Sequence, residues 1–252
     1  MSRVQLWSCG GGRQSAGIAA LIAQGRLPRP DHVCMVRLEW EVAPVWPYVD
    51  AYIRPAMEAL GIPFTAIDRA EYATVDFWSG CNDGTLLIPA YTNYPSVSKL
   101  PEFCSNEWKQ RVCSRWAALQ PGWKQRGVDV WLGISHDEKR RRRAPSMRWL
   151  QQVYPLLDII PMHISGCLAA IEKMGWPEPS HSHCSHCPNQ PDSQWAQLTP
   201  DEWDQACKLD EHIRTINPNV YLHKQMIPLR MVKLDPRPEE DFFGGCQSGM
   251  CF

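Results

Sequence analysis

Residues 4–15 give the strongest indication of the fold, and they read Val4-Gln5-Leu6-Trp7-Ser8-Cys9-Gly10-Gly11-Gly12-Arg13-Gln14-Ser15. Its first four residues form a short apolar run that is typical of a buried strand, and three consecutive glycines follow shortly after it. Beyond the glycines, Ile18, Leu21 and Ile22 recur at the spacing of a helix that packs on a sheet. The stretch therefore predicts a strand, a glycine-rich loop and a helix, in that order.

A loop between a buried strand and a helix brings backbone N–H groups and the helix N-terminus to one point, where they favour an anion. Three glycines let a phosphate approach the backbone closely. The Ser15 hydroxyl and the Arg13 guanidinium could add a hydrogen bond and a charge. The spacing matches neither a Walker loop nor a dinucleotide fingerprint. We predict phosphate binding, and the plain alternative is a turn that only connects strand to helix.

The rest of the N-terminal half alternates between apolar runs and helical patterns. Further strand candidates are residues 32–37, 64–67 and 128–132. We expect Pro55 to break or restart the helix between the second and third strands, because proline lacks a backbone N–H. Strands that alternate with helices predict an α/β fold with a parallel sheet.

Composition narrows the class of protein. The chain has 252 residues, 44% of them hydrophobic, with a formal net charge of −1 and 11 cysteines. Such a length supports one sizeable core, and the charge argues against coating nucleic acid by charge alone. The sequence contains no run of membrane-spanning length and no pattern typical of a signal peptide, so we expect a cytoplasmic protein. An odd number of cysteines without such a signal argues against a disulfide framework.

The chain changes character after about residue 154, where Pro, His and Cys become frequent. We predict a nucleotide-binding core over residues 1–158. A helical or irregular, cysteine-bearing region is expected over residues 159–252.

The glycine loop resembles the S-G-G-x-D-S loop of the ATP pyrophosphatases (PP-loop proteins) of the adenine nucleotide α-hydrolase superfamily. It is closer to the S-x-G-G-G-x-[DN]-S form of the phosphoadenosine phosphosulfate (PAPS) reductase family, including its phage-encoded relatives. Two positions depart from the pattern: Gly10 stands for the usual first serine, and Gln14 for the usual Asp or Asn. A neutral Gln14 cannot act as an anionic magnesium ligand.

The resemblance continues in order along the chain. Residues 35–41 occupy the place of the family's F-A-D-T-G-x-E stretch, with Glu41 at the acidic position and Arg37 in place of the aspartate. Residues 101–109 resemble its C-T-x-x-x-K segment, and residues 132–138 its G-I-x-x-D-E-x-x-R segment. Residues 154–158, residues 182–188 and the Cys-x-x-x-x-Cys terminus resemble later blocks of the phage branch.

This resemblance implies a Rossmann-like fold of five parallel strands with helices on both faces. It implies ATP or a related adenine nucleotide, with Mg²⁺, and an adenine near the C-terminal ends of the first two strands. The nucleotide-binding residues would be Ser8, Gly10, Gly11, Gly12, Gln14, Ser15, Met35, Val36, Glu41 and Gly133.

Cleavage between the α- and β-phosphates requires that the developing negative charge be neutralised. The cations in reach would be Lys109 and an arginine of the run 139–143, so we assign catalytic roles to Lys109, Arg140 and Arg141. Alternatively, the run could lie on a solvent-exposed face or bind the phosphate backbone of a nucleic acid. Asp137 and Glu138 could pair with these arginines or help to hold Mg²⁺.

Cys184 and Cys187 have the spacing of a thiolate pair that binds Zn²⁺ or part of an iron–sulfur cluster. Further candidate ligands are Cys104, Cys246 and Cys251. Four thiolates would suit Zn²⁺ or a [4Fe–4S] cluster, and three with an open position would suit a cluster that handles sulfur. The plain alternative is a set of buried thiols.

Three functions remain open. The first is a transferase or ligase that adenylates an acceptor, such as a nucleobase in tRNA or DNA, before sulfur or nitrogen transfer. The second is a sulfonucleotide reductase, which ranks lower because the tail lacks that class's E-C-G-L-H-like motif. The third is a nucleotide-sensing subunit. The expected partners are a nucleotide, a nucleic-acid acceptor and a second copy or larger complex, but no membrane.

Overall fold

A computed structural model of the chain describes residues 2–76, 78–81, 86–142 and 147–235. The described strands are β1 (Val4–Ser8), β2 (His32–Arg37), β3 (Phe64–Asp68), β4 (Tyr91–Thr92), β5 (Ser98–Lys99), β6 (Val128–Leu132), β7 (Leu150–Val153) and β8 (Val220–Tyr221). The described α-helices are α1 (Arg13–Ala23), α2 (Val45–Tyr48), α3 (Arg54–Glu58), α4 (Arg69–Tyr72), α5 (Arg111–Leu119), α6 (Trp123–Arg126), α7 (Ile164–Lys173), α8 (Asp192–Trp195) and α9 (Pro200–Ile216). Short π-helical segments are Val49–Ile53, Asn106–Gln110 and Pro155–Ile159, and 3₁₀ turns are Ser79–Cys81, His136–Arg141 and Leu229–Met231.

The central sheet has five parallel strands in the order β3-β2-β1-β6-β7. This confirms the predicted α/β class, and the four strands expected from apolar runs all form. The strand order reverses between β1 and β6, because the chain moves outward from β1 to β3 and then returns to the other side of β1. In open α/β sheets this reversal marks the crevice where ligands bind, at the carboxyl ends of the strands.

Both faces of the sheet are buried under helices. On one face, Leu6 and Val36 pack in a core with residues of α5. On the other face, Trp7 and Met35 pack in a core with α1 and α7. Burial on both sides is the reason the strands read as nearly continuous apolar runs.

The helical connection from β2 to β3 restarts at Pro55, as expected. Pro55 lies in the first turn of α3, directly after the π-helical segment Val49–Ile53. The wide turn accommodates a residue that cannot donate a backbone hydrogen bond. Gly61, at φ +73°, then ends the connection by donating its N–H to the Glu58 carbonyl.

The C-terminal region combines helices with an irregular stretch. Helix α7 packs on α1 so closely that a Cβ added to Gly17 would lie 2.6 Å from the Cβ of Cys167. Helix α9 begins at a capping box between Thr199 and Glu202, and an antiparallel sheet β5-β4-β8 ties it to the middle of the chain. The domain boundary at residue 158 stays a prediction.

The cysteines in the described part of the chain are all free thiols. Cys9, Cys34, Cys113, Cys167 and Cys207 are buried, consistent with core residues. Among the helices of the described ranges, none combines the length and the apolar character that crossing a membrane would require.

Candidate active site

The glycine loop sits at the carboxyl end of the sheet. The Cys9 N–H donates to the Cys34 carbonyl at 2.8 Å, which fixes the loop beside β2. Gly11 has φ +74°, and a Cβ there would lie 2.6 Å from Val45 Cγ1 and 2.9 Å from Met35 Cε. Both the backbone angle and the space therefore require glycine at position 11.

The loop leads into an uncapped helix N-terminus. Gly12 is the N-cap residue of α1, without a side-chain cap and with no acidic residue in the first turn. The first amides of a helix have no partner within the helix, and the helix dipole is positive there. The Ser15 hydroxyl accepts the Gly10 N–H at 2.8 Å, so its oxygen shapes the loop. Gly133 lies alongside, since a Cβ there would lie 3.7 Å from the Ser15 nitrogen.

Gln14 belongs to a chain of polar contacts beside the loop. Its Nε2 donates to Glu138 at 3.1 Å, and Glu138 in turn accepts from Arg141 at 2.8 Å. Arg140 is exposed, and Arg142 pairs with an aspartate on the surface. Arg141 is therefore linked to the loop through Glu138 and Gln14. Arg143 lies outside the described residues.

A cleft of about 240 Å³ opens at the ends of β1 and β2. Five of its lining residues belong to the predicted nucleotide-binding set, Lys109 is a predicted catalytic residue, and Cys9 was not predicted: the lining is Ser8, Cys9, Gly10, Met35, Val36, Glu41 and Lys109. Burial raises the pKa of the Cys9 thiol to about 11, so this thiol lines the cleft in its uncharged form at pH 7.

A buried carboxylate and a buried ammonium meet at the floor of the cleft. Lys109 Nζ lies 3.6 Å from Glu41 Oε1, and the Glu41 side chain is only 1% exposed. Ser182 donates its hydroxyl to the same oxygen at 2.7 Å. Glu41 Oε2 is buried and has no hydrogen-bond partner among the described residues. This second oxygen can therefore accept a bond from a ligand or bind a cation.

Lys109 lies in an irregular helical turn, and the groups around it favour its charged form. It lies in the π-helical segment Asn106–Gln110 that precedes α5, a widened turn that often occurs at functional sites. Burial disfavours its charge, but the nearby Glu41 carboxylate and the three thiols Cys104, Cys184 and Cys187 raise the pKa of Lys109 above its ordinary value. The lysine is thus charged at neutral pH although it is buried.

The cysteine-bearing segment is joined to the end of β2 by backbone hydrogen bonds. The Ser185 N–H donates to the Trp40 carbonyl at 2.9 Å, and the Val42 N–H donates to the His183 carbonyl at 3.1 Å. These bonds flank a bridge between Glu41 and Cys184. The segment therefore lies next to the cleft, although it is about 140 residues away in sequence.

Three of the predicted metal ligands line one cavity of about 720 Å³: Cys104, Cys184 and Cys187. Lys109, Ser182, His183 and His186 share its lining, which includes no carboxylate among the described residues. Burial raises the pKa of Cys187 to about 11, and burial together with the neighbouring thiols raises the pKa of Cys104 well above its ordinary value. Cys246 and Cys251 lie outside the described residues.

The geometry bears on which metal these thiols could hold. In the described ranges, no three His, Cys, Asp or Glu side chains are arranged to bind a single metal ion. In a [4Fe–4S] cluster each cysteine binds a different iron, so the thiols stand around a larger centre. Whether these thiols hold a single metal ion or a cluster stays a prediction.

Two histidines beside the cysteines, His183 and His186, are neutral at pH 7. Burial lowers the pKa of His186 to about 3 and that of His183 to about 4. His183 Nδ1 lies 3.0 Å from the His181 carbonyl, so Nδ1 carries the proton. Its Nε2 is buried with no hydrogen-bond partner among the described residues. Such a nitrogen can bind a metal or accept a hydrogen bond.

The sequence did not single out Ser182, whose hydroxyl bonds Glu41 and whose Cβ lies 3.3 Å from a Cβ added to Gly12. It also missed a further cavity against the sheet, which Lys109 and Gln110 line. A serine and a glutamine carry little signal in a sequence, and both become informative only through neighbours that are distant along the chain.

The comparisons with known proteins are sparse. No protein-family model matches the chain, and no curated protein matches it. Among solved structures, the chain is similar to the U34-tRNA thiolase NcsA from Methanococcus maripaludis with its [4Fe-4S] cluster. The identity is 13% with a TM-score of 0.44, over 92% of this chain and 74% of that chain. At this identity and TM-score, the similarity carries no argument about the activity of this chain.

Proposed function

We propose that the chain is an ATP-dependent enzyme of the PP-loop type, which adenylates an acceptor and releases pyrophosphate. One observation carries the proposal: Lys109 lines both the glycine-loop cleft and the cavity of the three cysteines. A buried, charged lysine at the junction of an anion site and a thiol cavity fits a reaction that joins a phosphate to chemistry at the thiols.

In the proposed step, an oxygen of the acceptor forms a bond to the α-phosphorus of ATP. The bond between the α-phosphorus and the bridging oxygen breaks, and pyrophosphate leaves with that oxygen. The acceptor's proton passes to water. The amides of residues 11–15 would hold the pyrophosphate, Lys109 would neutralise the charge on the α-phosphate, and Arg141 would approach the loop from the Glu138 side.

Two further groups fit this site. Glu41 Oε2, the buried oxygen that lacks a partner among the described residues, could bind a Mg²⁺ ion held by the nucleotide. Cys104, Cys184 and Cys187 would hold an iron–sulfur cluster, which would supply a site for sulfur bound next to the adenylated acceptor. This arrangement favours sulfur transfer over nitrogen transfer. A nucleobase of tRNA or DNA is the acceptor class that we propose.

A second candidate, a nucleotide-sensing subunit, is favoured by Gln14. Gln14 is a neutral amide that donates to Glu138. The loops that this one resembles carry Asp or Asn at the position of Gln14. Such a chain would bind ATP and leave it intact.

The test is anaerobic purification with iron and sulfide analysis, followed by assays of pyrophosphate release from ATP in the presence of tRNA or DNA. The enzyme proposal predicts pyrophosphate release that depends on the acceptor. ATP binding without any pyrophosphate release would favour the sensor, and release of sulfite from PAPS would identify a reductase instead.

A further inference from the structure

A third cavity, of about 450 Å³, lies between the sheet and α5. The proposed adenylation does not assign it a role. Its lining combines an apolar sheet face with polar side chains: Ser8, Lys109, Gln110, Cys113, Ser114, Val130, Leu132, Leu150 and Gln152. We refer to it as the sheet-face cavity. Ser8 and Lys109 line both this cavity and the nucleotide cleft, so the two spaces meet at these residues.

The polar side of the sheet-face cavity presents hydrogen-bond donors. Gln110 Nε2 is buried and has no hydrogen-bond partner among the described residues. A buried donor without a partner destabilises a fold, so a ligand that accepts its hydrogen bond would remove this cost. Gln110 follows Lys109 directly, and the two donors therefore belong to one widened helical turn.

Gln152 is oriented by a neighbouring hydroxyl. Tyr154 donates its O–H to Gln152 Oε1 at 2.6 Å, so the carbonyl oxygen of this amide already has a partner. The amide NH₂ of Gln152 is then the end that donates. Across the cavity, Val130, Leu132 and Leu150 provide an apolar surface on which a planar ring can lie.

This combination selects a class of ligand. The described lining contains two amides, two hydroxyls and a lysine, but no carboxylate. Amides and hydroxyls can accept as well as donate, but the lysine only donates, the Gln152 carbonyl already accepts from Tyr154, and the unpartnered atom of Gln110 is its NH₂ nitrogen. The groups left for a ligand are therefore mainly donors, which fit a ring that presents carbonyl oxygens better than one that presents an amino group. Uracil and thymine present O4, and guanine presents O6 and N7, while cytosine and adenine present amino groups at the same edge.

We propose that the sheet-face cavity binds a lactam heterocycle of the uracil, thymine or guanine type, with its carbonyl edge toward Gln110 and Gln152. The claim that this heterocycle is the acceptor rests on the proposed function, because the ring would enter beside Lys109 and the α-phosphate. Binding itself does not depend on that function. The heterocycle could come from a free nucleoside or from a nucleic-acid strand.

The test is equilibrium binding of free nucleosides and of short single-stranded oligonucleotides to the full chain, measured together with the affinity for a non-hydrolysable ATP analogue. We expect uridine, thymidine and guanosine to bind more tightly than cytidine and adenosine. Gln110→Leu should weaken lactam binding about tenfold or more, leave the affinity for the ATP analogue within about twofold, and keep or raise the melting temperature. Gln120→Leu, at the other end of α5, is the matched control, since the side chain of Gln120 donates to the Trp116 carbonyl of its own helix.

Three outcomes would overturn the proposal. They are equal binding of all nucleosides, unchanged lactam affinity in Gln110→Leu, and a loss of ATP-analogue affinity in that variant, which would make the cavity the adenine site. Tighter binding of oligonucleotides than of nucleosides would identify a nucleic acid as the source, and equal binding would identify a free heterocycle. Lactam-selective binding without pyrophosphate release would leave this inference standing and contradict the enzyme proposal alone.

Discussion

The ammonium group of Lys109 lies 3.6 Å from the carboxylate of Glu41. Lys109 lines all three cavities, and Glu41 lines the nucleotide cleft with it. Glu41 also accepts the hydroxyl of Ser182, which belongs to the cysteine-bearing segment. The pair therefore ties together the end of β2, the turn before α5 and the C-terminal region. Substitutions at the pair should affect both stability and the proposed chemistry, and the two effects can be separated.

Lys109→Met should lower both stability and turnover. Removal of one partner leaves the buried Glu41 charge uncompensated, a loss of about 3 kcal/mol for such pairs. The double variant Lys109→Met with Glu41→Gln should recover most of that stability, because the neutral amide can still accept the Ser182 hydroxyl. Its acceptor-dependent pyrophosphate release should remain about 100-fold or more below that of the parent. Denaturant unfolding and pyrophosphate assays measure the two effects, and recovery of turnover in the double variant would refute a catalytic lysine.

Gly12→Ala should weaken ATP binding about tenfold, equivalent to 1.4 kcal/mol. The added methyl would lie at the N-terminus of α1, 3.3 Å from Ser182 Cβ, and would obstruct the approach of a phosphate. Gly12 is a better probe than Gly11, whose substitution would clash with Val45 and Met35 and disturb the fold.

The control for Gly12→Ala is Gly25→Ala. Gly25 has φ +68° with nothing within 4 Å of an added Cβ, so the change costs about 1 kcal/mol of backbone strain away from the cleft. Calorimetric titration should show normal ATP affinity for Gly25→Ala. If both variants bind ATP like the parent, the glycine loop is not the phosphate site.

Alanine in place of Cys104, Cys184 or Cys187 should lower the iron and sulfide content of anaerobically purified protein. Cys207→Ala is the control, because Cys207 is buried within α9 and is not among the residues that line the cavity. Metal analysis and visible absorbance near 400 nm provide the readouts. Iron content that is equal in all four variants would show that these thiols do not hold a cluster.

Acid should destabilise the fold in part through Asp192. Burial opposes its charge, but hydrogen bonds from the Asp235 N–H and Lys224, together with the charges of Lys224 and His223, hold the pKa of Asp192 below its ordinary value. A carboxyl group with a lowered pKa stabilises the fold above its ordinary pKa of about 3.9, and this contribution is lost as the pH falls through the folded-state pKa.

Asp192→Asn tests that contribution. The variant should be about 2 kcal/mol less stable than the parent at pH 7, the usual contribution of hydrogen bonds to a charged group. The difference should shrink as the pH falls from 5 toward 2, in urea unfolding at each pH. A difference that stays constant with pH would mean that the charge of Asp192 does not stabilise the fold.

The sequence predicted the parts of the fold that have strong local patterns. Apolar runs identified β1, β2, β3 and β6 because both faces of the sheet are buried. Strand β7 was not singled out, since Leu150-Gln151-Gln152-Val153 is apolar only at its ends. The second sheet was missed because each of its strands has two residues and depends on pairing between distant segments.

The candidate site likewise has a part that the local sequence predicts and a part that depends on contacts between distant segments. The glycine loop could be predicted from its own residues, and the resemblance to a family supplied Lys109 and Glu41. The contact between Gln14 and Glu138 spans 124 residues, and the contact between Ser182 and Glu41 spans 141. Such contacts depend on how the chain folds back on itself, so no local spacing encodes them.

The most direct measurement is a crystal structure of the chain with Mg²⁺ and an ATP analogue that resists cleavage between the α- and β-phosphates. We expect the β- and γ-phosphates to contact the amides of residues 11–15, with Lys109 Nζ within about 3.2 Å of an α-phosphate oxygen. The adenine should lie against Met35 and Val36. A nucleotide bound away from the glycine loop, or one whose α-phosphate is out of reach of Lys109, would contradict the proposed phosphate site and the proposed role of Lys109.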